Sequence, residues 1–286
     1  MFRSAANPRQ IHGCREDAAA ASYRTLIANA RGDATRISAG RPGEMNSDIY
    51  LSPHHDDVCF SLGALVWRRR AGSLVSIFTK SDYVAVSVPL PTDQASRARV
   101  VTEMRTAEDL RFAKVCGLVR HDLSLAEPSF VGRDPFDCRD LEPAIARLRP
   151  LLASMISDDP SRKAQNLFCP IGIGSHRDHL TTFYSVVAML PQLVPTTNVF
   201  FYEDLHYASG PDVRTAGLRR ALHILSAFKC VRIALPLSKD MLNVKMQLVS
   251  LYGSQHRQPP SYRRYSVSTG QCQQPHEAVW HIRPSA

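Results

Sequence analysis

The sequence predicts an α/β protein with a mainly parallel, Rossmann-like central sheet. Short apolar runs typical of strands alternate along the chain with longer segments of helical periodicity. The strand candidates are uninterrupted apolar runs rather than alternating ones, which favours strands covered by helices on both faces. Strands separated by helices of this length are joined by right-handed crossovers, so the predicted sheet is parallel. We find no internal repeat and no boundary between two large domains.

Each predicted element follows from its own stretch of sequence. Strands are predicted over 48–51, 74–78, 122–125, 167–170, 199–202, 231–235 and 279–282, the last as an edge strand. Helices are predicted over 62–70, 95–116, 141–156, 178–189, 213–226 and 239–252. Gly72 and Gly117 end the first two helices, as glycine commonly does. The intervening loops over 84–91 and 130–135 are expected to shape specificity.

The first part of the chain differs in composition from the rest. Residues 1–44 are rich in Ala, Arg, Gly and Ser, contain no lysine and hold more arginine than acid. Met45 directly precedes the first predicted strand. We therefore predict a flexible N-terminal extension over 1–44, which the choice of an upstream start codon would also explain, and one folded domain over 45–286.

Composition and charge exclude several classes of protein. No run of about 18 apolar residues is present, and no N-terminal segment resembles a secretory signal, so a cytoplasmic protein without a transmembrane segment is predicted. The 7 cysteines include no Cys-x-x-Cys pair, which favours reduced thiols. The net charge of +9 is spread over many arginines without a recognition motif, so no nucleic-acid partner is predicted.

A polar cluster, Ser52-Pro53-His54-His55-Asp56-Asp57, directly follows the first predicted strand. In an open α/β sheet, ligands bind at the carboxyl ends of the strands. His54 and Asp57 can both reach one metal ion if the backbone turns sharply after the strand. Asp56 can then face the open side of the ion and accept a proton from water.

A second cluster, His176-Arg177-Asp178-His179, follows the apolar run over 166–171. His179 is the best-placed third ligand, because two imidazoles and one carboxylate leave the open position that hydrolytic zinc sites keep for water. His176 lies one turn earlier on the same side and could stabilise an oxyanion or protonate a leaving amine. Asp178 is expected to cap the helix or to orient a histidine.

These motifs resemble those of the PIG-L/LmbE-like metal-dependent N-deacetylases. The family motif Pro-His-Pro-Asp-Asp-Glu appears as residues 53–58 with His55 and Val58 in place of Pro and Glu, and His-x-Asp-His appears as residues 176–179. A family helix motif resembles Arg105-x-x-Glu108. The resemblance spans about residues 45–207 and implies a three-layer, LmbE-like fold. It also implies metal ligands at His54, Asp57 and His179, a general base at Asp56 and an oxyanion-stabilising residue at His176.

The resemblance also implies a reaction and a class of substrate. The expected enzyme removes an N-acetyl or other N-acyl group from an amino sugar or glycoconjugate, using Zn²⁺ or another divalent metal such as Fe²⁺. The motif variants and the segment over 202–207 are similar to the branch that acts on sugars within antibiotics and glycolipids. Candidate substrate-binding residues are Arg105, His55, Glu203, Asp204 and His206.

Two other functions fit parts of the same pattern. His54-x-Asp56 with a distant histidine mimics the two-His-one-carboxylate site of a non-haem iron oxygenase. The alternation of helix and strand disfavours that class, and the adjacent second aspartate would have no role in it. A non-catalytic carbohydrate-binding relative is the other alternative, although it would not need the base Asp56.

Overall fold

The computed structural model describes residues 48–156, 165–256, 261–267 and 274–284. The predicted extension over 1–44 lies outside the described residues. Among the helices that are described, none has the length and apolar character needed to cross a membrane.

The described part of the chain forms a seven-stranded sheet with the spatial order β3-β2-β1-β4-β5-β7-β6. Its strands are β1 Asp48–Ser52, β2 Ser73–Lys80, β3 Val119–Ala126, β4 Gln165–Pro170, β5 Thr197–Tyr202, β6 Phe228–Pro236 and β7 His276–Pro284. The first five strands pair in parallel, whereas β7 runs antiparallel to both β5 and β6. The predicted α/β fold class with a mainly parallel sheet is confirmed.

The final strand lies inside the sheet, so the prediction of an edge strand over 279–282 is wrong. Strand β7 pairs with β5 through Val199↔Ile282 and with β6 through Cys230↔Ile282, which leaves β6 at the edge. An antiparallel strand needs no crossover to enter between two neighbours. An apolar run at the end of the chain carries no signal for this insertion.

Eight α-helices are described: α1 Asp57–Arg69, α2 Gln94–Cys116, α3 Glu142–Met155, α4 Arg177–Val187, α5 Leu190–Leu193, α6 Leu205–Ala208, α7 Pro211–Ile224 and α8 Lys239–Val249. Helix α1 packs against α2 and α8, and α3 packs against α4. The apolar side chains of α3, α4 and α7 form one core with residues of the parallel strands. The helices and the sheet give three layers.

Helix α1 begins at Asp57, earlier than the predicted start at Leu62, and its backbone is irregular at Leu62 (φ −124°, ψ 15°). Beyond this break, the amides of Ala64 and Leu65 donate to the carboxylate of Glu277 at 2.8 and 2.9 Å. The ammonium group of Lys245 donates to the same carboxylate at 2.7 Å. The interruption of α1 is therefore stabilised by a buried ion pair from β7 and α8.

The sheet order places three chemically important segments next to one another. Strands β1, β4 and β5 are adjacent, and each is followed at its carboxyl end by polar residues. The segments are His54–Asp57 after β1, His176–His179 after β4 and Glu203–His206 after β5. They meet at the edge where parallel α/β sheets bind ligands.

Candidate metal centre

The three predicted metal ligands meet at one carboxylate oxygen. Nδ1 of His54 lies 3.2 Å from Oδ2 of Asp57, and Nε2 of His179 also lies 3.2 Å from that oxygen. All three side chains are buried. The backbone amide of His54 donates to the same Asp57 oxygen at 2.8 Å, which fixes the turn after β1. The structure therefore brings together His54, Asp57 and His179.

Each histidine of this trio is held from behind by another carboxylate. Nε2 of His54 lies 3.0 Å from Oδ2 of Asp178, and Nδ1 of His179 lies 2.6 Å from Oδ1 of Asp204. Asp204 also accepts a hydrogen bond from the Ile173 amide at 2.8 Å. Carboxylates in this position orient metal-binding imidazoles and raise their basicity. The structure thus places Asp204, a predicted substrate contact, behind a histidine ring.

The donor set fits a divalent metal. Nε2 of His179 is buried and, although it lies 3.2 Å from Asp57, it has no partner with hydrogen-bond geometry among the residues that the structure describes. Ligand atoms of His54, His176 and His179 lie within 4.8 Å of one another, as do those of Asp57, His179 and His206. Imidazole nitrogens and a carboxylate oxygen are ligands that Zn²⁺ takes in hydrolytic sites.

The electrostatics of the trio favour a positive charge at its centre. Burial opposes the charged form of Asp57, but His179 and His54 outweigh it and hold the pKa of Asp57 well below its usual range. Burial likewise opposes protonation of His179, yet Asp57 and Asp204 raise its pKa to about 9. In the metal-free trio His179 therefore stays protonated at neutral pH, and a metal ion would displace that proton on binding.

Asp56 lies beside the trio in contact with Arg105. Nη2 of Arg105 is 3.3 Å from Oδ1 of Asp56, while its Nη1 pairs with Glu127 and donates to Ser81 Oγ. Burial and the neighbouring Asp57 raise the pKa of Asp56, and the Arg105 charge lowers it in part. A carboxylate with a raised pKa is a better proton acceptor. Arg105, a predicted substrate contact, is buried with its guanidinium bound to two carboxylates.

His176 directly precedes α4 and is half-buried. Its Nδ1 accepts a hydrogen bond from the Asp178 amide at 3.3 Å, which assigns the proton of a neutral ring to Nε2. Burial and the nearby His54 and His179 hold the pKa of His176 well below its usual value. In the metal-free protein the ring is therefore neutral and can donate a hydrogen bond through Nε2.

The turn before His176 depends on residues that the sequence analysis did not identify. Gly172 (φ 79°), Gly174 (φ 91°) and Ser175 (φ 60°) all have left-handed backbone conformations. A Cβ added to Gly174 would collide with the ring of Tyr207. Arg220 holds the turn through Ser175 Oγ at 2.7 Å and through the carbonyl of Gly172. Gly172 and Gly174 could have predicted a turn from the local sequence, because glycine adopts left-handed conformations readily. The contact of Arg220 could not be predicted, because Arg220 lies on the distant helix α7.

His55 and His206 lie on different sides of the cluster. Nε2 of His55 is 3.3 Å from the Thr106 hydroxyl of α2, and burial together with Arg105 lowers its pKa. His206 faces the trio, because its Nε2 lies 3.8 Å from Oδ1 of Asp57. The structure therefore brings His206 to the predicted metal ligands, whereas the hydrogen-bond contact of His55 is with Thr106 of α2.

The structure does not bring Glu203 into the cluster. Its carboxylate is fully buried and forms ion pairs with Arg214 at 2.6 Å and Arg232 at 2.8 Å. The indole of Trp280 donates to it at 3.2 Å. Adjacent side chains at the end of a strand point in opposite directions, which separates Glu203 from Asp204.

We expect the Glu203→Gln substitution to lower the free energy of unfolding by about 1–3 kcal/mol, because two partly buried arginines lose their charged partner. Urea unfolding measures the change. The matched control is Glu103→Gln. The Glu103 side chain is 63% exposed and pairs with Arg99 one helical turn away, and such exposed pairs contribute about 0.3–0.5 kcal/mol to the free energy of unfolding. Equal effects of the two substitutions would contradict a stabilising role for the Glu203 network.

Known proteins share both the sequence and the fold of this chain. It is 31% identical over 222 residues to 2'-N-acetylparomamine deacetylase of Streptomyces fradiae, an alignment covering 72% of each protein. A teicoplanin-biosynthesis deacetylase solved as a teicoplanin complex superposes with a TM-score of 0.62 at 16% identity, covering 84% of this chain and 99% of the other. A zinc-inhibited form of teicoplanin deacetylase gives 0.60 at 17% identity, covering 83% and 98%. No family model matches the chain.

The fold and the sequence relationship together define the class of this protein. The chain belongs to the PIG-L/LmbE-like deacetylase family, as the motifs of its first two clusters predicted. The mainly parallel sheet is not the antiparallel barrel expected of a non-haem iron oxygenase, which disfavours that alternative.

Proposed function

We propose that this protein is a metal-dependent N-deacetylase that hydrolyses the N-acetyl group of an amino sugar or glycoconjugate. The observation that carries the proposal is the convergence of His54 and His179 on Asp57, with Asp56 beside them. The deacetylase relatives support the reaction, and the named substrate of the Streptomyces fradiae relative supports an N-acetylated aminoglycoside-like sugar.

The proposed metal ligands are His54, Asp57 and His179, and Zn²⁺ is the proposed metal. The zinc-inhibited form of a structural relative is consistent with zinc binding in this fold, and Fe²⁺ is the other divalent metal considered. When bound, the metal polarises an amide carbonyl and makes a water molecule more acidic. Asp178 and Asp204 keep the two imidazoles oriented for this role.

The protein's own groups then move the protons. Asp56 accepts a proton from the attacking water, and Arg105 keeps its carboxylate in place. His176 donates its Nε2 proton in a hydrogen bond to the oxyanion that develops on the carbonyl oxygen. Protonated Asp56 returns its proton to the leaving nitrogen as the C–N bond breaks. Water and the amide are thereby converted to acetic acid and the free amine, which exchange one further proton to give acetate and the ammonium form of the amine.

Two predicted substrate contacts keep a role in the proposal. His55 and His206 are proposed to border the substrate site, His55 beside Thr106 of α2 and His206 beside Asp57. Arg105 and Asp204 are proposed to position other residues and not to contact the substrate. Arg105 hydrogen-bonds to Asp56, and Asp204 hydrogen-bonds to His179.

The proposal is tested by metal analysis combined with a screen for amine release. We expect purified protein to contain about one divalent metal per chain, to release primary amine from an N-acetylated amino sugar or glycoconjugate, and to lose this activity after chelation. Readdition of Zn²⁺ or Fe²⁺ should restore it, and the more effective ion identifies the working metal.

Three outcomes would contradict the proposal, the second and third measured with a 2-oxoglutarate assay and a sugar-binding assay on the same protein. Full activity after complete removal of metal would exclude a metal-dependent reaction. Turnover of 2-oxoglutarate with Fe²⁺, without amine release from any N-acetylated sugar, would favour the oxygenase alternative. Binding of the sugars without release of acetate would favour the non-catalytic alternative.

A further inference from the structure

A fourth histidine lies against the proposed metal ligands. His206, on the short helix α6 after β5, has its Nε2 3.8 Å from Oδ1 of Asp57. Ligand atoms of His206, His179 and Asp57 lie within 4.8 Å of one another, the spacing of groups that can share an ion. The Asp57 carboxylate thus presents Oδ2 to His54 and His179 and Oδ1 to His206.

The Nδ1 atom of His206 is buried and makes no hydrogen bond with its surroundings in the described part of the chain. The ring is packed among aromatic neighbours, with centroids 4.0 Å from Tyr207, 5.9 Å from His179 and 6.0 Å from Phe60. Nε2 is the ring nitrogen that lies near Asp57 and is therefore the atom through which His206 can bind an ion.

His206 differs from His54 and His179 in how its ring is held. His54 and His179 each have a carboxylate behind the ring, whereas nothing in the described part of the chain holds Nδ1 of His206. Sites with four protein ligands are closed, and hydrolytic sites keep one position open. A ligand without a second partner is suited to leave when the substrate needs that position.

We propose that His206 is a fourth, exchangeable protein ligand of the metal bound by His54, Asp57 and His179. This inference rests on the metal site of the proposed function and goes beyond it, because it adds a ligand that can close the coordination sphere in the absence of substrate. It also replaces the role of a simple substrate contact for His206.

The test is metal binding by full-length protein, measured with Co²⁺ and Zn²⁺ as probes. The substitution His206→Phe keeps an aromatic ring among Phe60 and Tyr207 and removes both nitrogens. We expect it to raise the dissociation constants for both metals at least about tenfold. Removing a residue that only hydrogen-bonds to a metal ligand already weakens binding by about 10-fold or more, so loss of a ligand should weaken it at least as much. The visible absorption of the Co²⁺ protein should change as well, because it reports the number and kind of ligands.

Controls separate this inference from folding and from the proposed function. His223→Phe removes an exposed histidine of α7 and should leave both readouts unchanged. Metal-free His206→Phe should unfold at the wild-type temperature or above it, because no described hydrogen bond is lost. If it does not fold, His206→Leu serves as the second variant with the same expected result.

The outcomes are distinct. Wild-type dissociation constants and an unchanged Co²⁺ spectrum in the folded His206 variant would overturn the inference and leave the proposed function intact. Equal metal binding by the wild type and a His179→Ala variant would instead overturn the metal site itself.

Discussion

Replacing Asp56 with asparagine is expected to lower turnover by about 10²- to 10⁴-fold while metal affinity stays close to that of the wild type. Asparagine has nearly the same shape and can still accept a hydrogen bond from Arg105, but it cannot take a proton from water. The buried guanidinium keeps Glu127 as a charged partner, so the substitution should preserve the fold. Steady-state amine release and metal titration give the two quantities.

The control for this experiment is Asp240→Asn, which changes an exposed aspartate in the first turn of α8. We expect it to alter neither turnover nor metal affinity. Unchanged turnover in Asp56→Asn would remove the general base from the mechanism. A parallel loss of metal would instead assign Asp56 to the coordination sphere.

Replacing His179 with alanine is expected to abolish metal binding and turnover together. The ring is fully buried, and its removal also leaves the Asp204 carboxylate without the charged partner that lies 2.6 Å away. Breaking one partner of a buried ion pair costs about 3–5 kcal/mol, so the single variant should also be much less stable. Urea unfolding and elemental analysis distinguish the two effects.

A second substitution separates ligand loss from instability. Asparagine at position 204 removes the buried charge and can still accept the hydrogen bond from the Ile173 amide. The double variant His179→Ala/Asp204→Asn should therefore recover most of the stability and none of the metal. If metal binding returned along with stability, His179 would be a structural residue and the ligand assignment would be wrong.

The sequence was sufficient for the parts of the fold that depend on local pattern. Buried parallel strands are uninterrupted apolar runs, so β1, β2 and β4 could be located from composition alone. The two His/Asp clusters could also be assigned to one edge, because the carboxyl ends of parallel strands share it. The order of the strands was not accessible in the same way, and the interior position of β7 depends on pairing between distant segments.

Side-chain direction and long-range pairing set the limit on predicting the site. Glu203 and Asp204 are neighbours with the same chemistry, yet one joins an arginine network and the other holds His179. Which of them faces the cluster depends on the phase of β5, and one residue of register reverses it. Arg105 could be identified from a helix motif that resembles the family's. Its ion pairs with Asp56 and Glu127 could not be predicted from the sequence.

The hydrogen bonds that Glu277 accepts from α1 affect the order in which the protein folds during its synthesis. Glu277 is 213 residues from the amide of Ala64 to which it bonds, and it belongs to the last strand of the described chain. Contacts between such distant segments form late, since a long loop must close first. During translation, the helix that starts at Asp57 cannot acquire its final shape until the segment that carries β7 has also left the ribosome. We expect nascent chains that stop before β7 to contain the histidines but to lack a finished ion-binding cavity.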